Sequence, residues 1–91
     1  FTAYVASKGA FFADGTPAIY KPNLCVVAAH KSVPLGTRIK VKFPRGEKIC
    51  VVKDRIGRPI STNHFDLLVG SRDEAIRFGK RTYLYRRVLK L

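Results

Sequence analysis

Asp54 and Asp66 are the two carboxylates in this chain whose surroundings suit chemistry. The sequence holds 6 acidic side chains against 18 Lys and Arg. The other acids have local explanations. Asp14, in Ala13-Asp14-Gly15-Thr16, belongs to a turn. Glu47 follows Pro44-Arg45-Gly46 at an expected hairpin. Asp73 and Glu74 fall in the first turn of an expected helix, where the helix dipole favours negative charge. Asp54 and Asp66 flank a loop containing Gly57 and Pro59, and each follows an apolar or strand-like run. Carboxylates at the two ends of such a loop suit acid/base chemistry. The null for Asp66 is a structural carboxylate binding loop amides. For Asp54 it is an ion pair with Arg55 or Arg58, worth little if exposed.

The elements that must position these groups are mostly strands. Residues 1–6 read as a short strand, and 8–22 as a loop anchored through Phe11 and Phe12. Residues 24–30 form a strongly apolar strand. Over 37–43, Ile39, Val41 and Phe43 alternate with Arg38, Lys40 and Lys42, so one face turns inward. The chain then turns at Pro44-Arg45-Gly46, and residues 48–53 form the next strand. Along 64–69, Phe65, Leu67 and Val69 share one face, while His64, Asp66 and Leu68 share the other. A helix is expected at 71–78. Ser71 and Glu74 form its capping box and Gly79 ends it. Residues 80–89 return as a strand rich in Tyr, Thr and Val. Six strands and one short helix near 71–79 predict a small closed β-barrel, mainly β, which removes exposed edges.

Ninety-one residues, 46% of them apolar, make a single domain spanning 1–91. No segment reaches the roughly 20 apolar residues of a membrane-spanning helix. The absence of Met suggests a processed product or a piece of a longer chain. Net charge of +12 predicts a polyanionic neighbour, with a merely solvated basic surface as the null. Cys25 and Cys50 are either a disulfide of a secreted protein or two buried thiols. The runs containing them share the triplet Cys-Val-Val, a hint of pseudo-symmetry. Two Cys and two His without ligand spacing give no metal site, and nothing in the sequence calls for a cofactor.

The order of motifs resembles known wall-active domains. Val26-Val27-Ala28-Ala29-His30-Lys31-Ser32-Val33-Pro34-Leu35-Gly36-Thr37 followed by Asp54-Arg55 resembles rare lipoprotein A and its relatives. Here Ile56 intervenes before Gly57, and Arg58 displaces Pro59 from that pattern. Asp54, Gly57, Ile60 and Asp66, with Gly70-Ser71-Arg72-Asp73-Glu74-Ala75 and Phe78-Gly79-Lys80-Arg81, resemble the three-aspartate domain of membrane-bound lytic transglycosylase A. His64-Phe65-Asp66-Leu67 resembles the corresponding motif of expansins and their endoglucanase relatives. The resemblance covers roughly residues 24–89 and implies a six-stranded double-psi β-barrel.

It further implies a peptidoglycan-cleaving lytic transglycosylase. Asp66 would be the acid/base, protonating the leaving oxygen before the C6 hydroxyl of muramic acid closes on C1. Asp54 would be the supporting carboxylate. Such an acid must have its pKa raised by burial or a like charge. His30 and His64 would line the groove, and Thr16 lies near the family's Thr-Ala-x-Gly segment. Arg55 and Arg58, with Lys80 and Arg81, would meet substrate carboxylates. Tyr83 is a sugar-stacking candidate, with Tyr4, Tyr20 and Tyr85. The expected partners are peptidoglycan glycan strands and anionic wall polymers, within a secreted, cell-envelope or phage lysis setting, and in a larger wall-penetrating assembly if there is one. A non-catalytic wall-binding module is the alternative. A nucleic-acid-binding barrel has the +12 charge and the Arg/Tyr interleaving of residues 81–87 in its support, and is disfavoured because no RNA-recognition motif or recognition helix is evident. Inverting endoglucanase chemistry would require carboxyls about 6.5–9.5 Å apart.

Overall fold

Alternation of apolar and charged residues builds most of this chain into strands. The structure, a computed structural model, describes residues 1–57 and 60–88. Its elements in chain order are β1 (Thr2–Tyr4), β2 (Cys25–Ala29), β3 (Arg38–Phe43), β4 (Gly46–Arg55), β5 (Phe65–Leu68), α1 (Arg72–Phe78) and β6 (Tyr85–Val88). Ile39 and Val41 of β3 are fully buried while Arg38 and Lys42 are exposed, as the alternation requires. The turn Pro44-Arg45 joins β3 and β4 as a tight antiparallel hairpin, with Phe43 opposite Gly46. Gly46 takes φ 133° there, a conformation that favours glycine.

The helix begins and ends where its local signals place it. Ser71 is the N-cap, and its Oγ accepts from the Glu74 amide at 3.2 Å. Gly79 follows at φ 60° and returns its N–H to the Ala75 carbonyl at 3.3 Å. Among the described residues the reciprocal half of the capping box, from the Glu74 side chain to the Ser71 amide, is not formed.

The sheet departs from the expected architecture. All 6 strands lie in one mixed sheet ordered β1-β5-β2-β4-β3-β6. Among the described residues β1 and β6 share no ladder, so the sheet is open and does not close into a double-psi barrel. The edges are linked at one place. Phe1 N donates to the Arg81 carbonyl at 2.6 Å, and Arg81 N donates to the Phe1 carbonyl at 2.8 Å. Arg81 also commits its guanidinium to the Phe78 and Arg77 carbonyls at the end of α1. Residues 80–84 therefore follow the helix end instead of extending β6, and the expected strand over 80–89 is confined to Tyr85–Val88. Residue 89 lies outside the described residues.

The two Cys-Val-Val triplets lie side by side. β2 and β4 run parallel, with Cys25 against Cys50, Val26 against Val51 and Val27 against Val52. The cysteines form a disulfide, with Cα atoms 4.5 Å apart. A bulge between Val27 and Ala28 then shifts the register, so that Ala28 meets Asp54 and Ala29 meets Arg55. This pairing carries β4 past the expected end at residue 53.

Each face of the sheet is covered differently. The inner face holds the main core, including Val27, Ala29, Ile39, Val41, Cys50, Val52 and Phe65. Rings of Phe1, Phe43, Phe78, Tyr83 and Tyr85 pack around it at centroid separations of 4.8–6.2 Å. On the outer face, Phe12 from the 5–23 loop packs on Val26 and Leu68, with Tyr4, Ala18 and Val51 around it. Phe12 is buried, whereas its neighbour Phe11 is 67% exposed. The radius of gyration, 12.3 Å, is that of a compact chain of this length. Among the described residues no helix is long and apolar enough to cross a membrane.

Candidate functional site

Directly paired residues in a sheet share a face, so registers across four strands define rows. One row runs Thr2–Asp66–Ala28–Asp54, across β1, β5, β2 and β4. It lies on the outer face, beside the Phe12 cluster. Parallel pairing puts Thr2 beside Asp66, and its hydroxyl donates to Asp66 Oδ1 at 2.8 Å. The same Oγ1 lies 2.8 Å from His64 Nε2. A hydroxyl has one hydrogen, and it is given to the carboxylate, so Nε2 of His64 is the donor to Thr2. Asp66, Thr2 and His64 thus form one hydrogen-bonded chain, with Asp66 only 8% exposed.

Asp54 anchors the loop above the row. Its Oδ1 accepts from the Ala13 and Arg55 amides, both at 3.0 Å, and its Oδ2 accepts from the Tyr4 hydroxyl at 3.2 Å. Burial, then the charge and hydrogen bond of Asp54, push the Tyr4 phenol well above the ordinary tyrosine value. Lys53 next door pairs with Asp14 at 3.6 Å and lies 5.3 Å from the Phe12 ring. Asp14 in turn accepts from the Thr16 amide and hydroxyl. Those bonds, the hydroxyl's foremost, hold its carboxyl below the usual range.

This geometry corrects the catalytic expectation. Asp54 and Asp66 lie on strands separated by β2, roughly 10 Å apart by strand spacing. Each carboxylate binds donors that tie strands and loop together. Among the described residues no group of three or more His, Cys, Asp or Glu is placed to hold a metal ion. Neither Asp54 nor Asp66 lines the cavity walled by Phe43, Lys48 and Phe78 or the one walled by His64, Lys80 and Tyr85. A glycosidic acid must reach the leaving oxygen. With an open sheet and no acid cluster, the lytic transglycosylase reading and the glycosidase chemistry built on a closed barrel do not stand.

Of the other sequence candidates, His64 and Tyr83 meet with Lys80, Arg81 and Tyr85 in the wall of one cavity, and the rest of the described ones lie in local contacts. His30 Nδ1 accepts from the Ser32 amide at 3.0 Å and sits 2.8 Å from its hydroxyl, a local turn contact. The Arg55 guanidinium donates to the His30 and Val33 carbonyls at 3.2 and 2.5 Å, so it pins a turn and makes no ion pair with Asp54. Thr16 holds the Asp14 turn. Tyr83 is half-buried among Phe1, Phe43 and Phe78. Arg58, and Pro59 beside it, lie outside the described residues. Thr2 was not among the sequence candidates, and Tyr4 was one only for sugar stacking. Their signal is the i, i+2 spacing of two hydroxyl-bearing side chains on β1.

A second cluster is made of charge alone. The outer face of β3 presents Arg38, Lys40 and Lys42. β6 places Arg86 directly opposite Lys40. On the β4 side, Lys40 meets Ile49, which is 53% exposed, and Lys42 meets Glu47. Among the described residues no ion pair or hydrogen bond joins any of these four cations to an acid; the one ion pair is Lys53–Asp14. Like charges directly opposite each other in a sheet are destabilising. The chain holds Lys40 against Arg86 all the same. Compared with known proteins, the sequence matches no protein-family model, no curated protein and no solved structure.

Proposed function

We propose that this domain is a binding module for anionic polymers, with the outer face of β3 and β6 as its contact surface. The observation that carries the reading is the cross-strand pair Lys40–Arg86, flanked by Arg38 and Lys42, on a face with a single opposed carboxylate. Packing does not require this arrangement, because no core residue lies on that face of β3. A linear polyanion lying along the strands would offset the repulsion and release counterions. The Cys25–Cys50 disulfide supports an oxidising compartment. It therefore favours peptidoglycan strands with their attached anionic wall polymers, in a secreted or envelope setting, over nucleic acid.

The test is co-sedimentation with purified cell-wall sacculi, before and after removal of their anionic polymers, across a salt series. Binding should weaken steeply between roughly 50 and 200 mM salt. The double reversal Lys40→Glu with Arg86→Glu should weaken it roughly tenfold or more. Binding that ignores salt and survives the double reversal would remove the reading. Equal binding to stripped sacculi and tighter binding to oligonucleotides would redirect it to nucleic acid.

A further inference from the structure

Along the inner face of β4 the apolar run ends at Lys48, and a cavity lies beside it. Lys48 is registered against Val41, so it is on the inner, core-facing side of the sheet. Val41 is fully buried there and Cys50, two residues on, is too. An apolar residue would continue the core, yet the chain places an ammonium. Departures from a consistent pattern concentrate where a site is built. Lys48 lines a cavity of about 900 Å³ at the open end of the sheet, within the size range of small-molecule sites.

The walls of this cavity are apolar and aromatic: Phe43 from the end of β3, Leu67 from β5, Phe78 from α1, and Tyr83. The rim carries charge. Arg45 in the hairpin turn and Lys48 make no ion pair or hydrogen bond among the described residues. The rim also holds two acids. Glu47 belongs to the outer face opposite Lys42, and Glu74 sits in the first turn of α1, where the dipole accommodates it. On the inner-face side of the hollow, beside Phe43, the charge is that of Lys48.

We propose that this cavity binds a single-chain amphiphile with a carboxylate head, its chain on Phe43, Leu67, Phe78 and Tyr83 and its head on Lys48. Chain burial supplies the affinity and Lys48 selects the head. None of the four outer-face cations of β3 and β6 lines this cavity, so the site does not depend on the polymer reading.

Isothermal titration of the protein with sodium decanoate below its micellar range tests this, with decyltrimethylammonium as the opposite-charge probe. Decanoate should bind saturably at one site, roughly tenfold or more tighter than the cation. Affinity should change about three- to fourfold per methylene from octanoate to decanoate. Lys48→Glu is an exposed change, and it should cost roughly tenfold for decanoate. The Lys40→Glu, Arg86→Glu variant should bind decanoate as the unaltered protein does. Absence of saturable heat, equal affinity for the two head groups, or an unchanged Lys48→Glu would overturn the proposal. So would an equal loss in the Lys40→Glu, Arg86→Glu variant, which would assign the effect to net charge.

Discussion

The two outer-face regions of this sheet treat charge in opposite ways. On the β1–β5–β2–β4 side, the carboxylates of Asp54 and Asp66 lie under a loop and accept from Thr2, Tyr4, Ala13 and Arg55. On the β3–β6 side, Arg38, Lys42 and Arg86 stand exposed and Lys40 half-buried, with Lys40 and Arg86 directly opposed. The difference follows from desolvation. A charge taken out of water must be met by protein donors. A charge left in water can remain unmet and available to a partner. Asp54 and Asp66 are therefore structural acids, and the cations of β3 and β6 are the proposed binding surface. A search for paired acids leads to the structural region first.

The sharpest way to break the comparison is to remove what both regions share. The disulfide staples β2 to β4 across a sequence separation of 25. Replacing Cys25 and Cys50 with Ala should lower stability by about 3–4 kcal/mol in urea unfolding. The midpoint of polymer binding should be lost along with the fold. Next in size is Asp66→Ala, which strips Thr2 of its acceptor in a nearly buried place. It should destabilise by about 1–3 kcal/mol while leaving polymer affinity of the folded protein unchanged. A parallel loss of binding would erase the division between structural acids and binding cations.

Smaller effects sharpen the contrast. Tyr4 has a raised pKa in the fold because of burial and then Asp54. The native state therefore keeps its proton at pH values where the unfolded chain, at about 10, has released it. The stabilisation is complete below about pH 10 and is lost as pH rises beyond it. Tyr4→Phe should flatten that alkaline arm in pH-dependent unfolding, and a steep arm surviving in the variant would assign it elsewhere. Smallest is Lys40→Thr. Relieving the repulsion with Arg86 should raise stability by roughly 0.2–1 kcal/mol even as affinity for the polymer falls. A variant that loses stability would show that Lys40 has a packing role.

The local elements were legible because their signals are local. The alternation of residues 37–43 places Ile39 and Val41 inside. Ser71 and Gly79 bracket α1, and Pro44-Arg45 turns the chain. Phe65 and Leu67 face the core opposite Asp66 and Leu68, as period-two spacing requires. The length of β4 was not legible, since a bulge at Val27/Ala28 extends its pairing. Nor was the shortness of β6, which follows from Arg81 binding the end of α1 and Phe1.

By itself the sequence determined the strand-rich class, the single short helix, the excess of positive charge and the candidate acids. Tertiary structure decided the rest. It set the open order of the sheet, the pairing of Cys25 with Cys50, and the placement of Thr2 beside Asp66 across 64 residues. It also decided that Lys40 faces Arg86 and that Lys48 faces a cavity. Periodicity is written within a few residues, whereas strand partners are chosen by burial summed over the whole chain. Which charges are covered and which are left in water is settled only when that choice has been made.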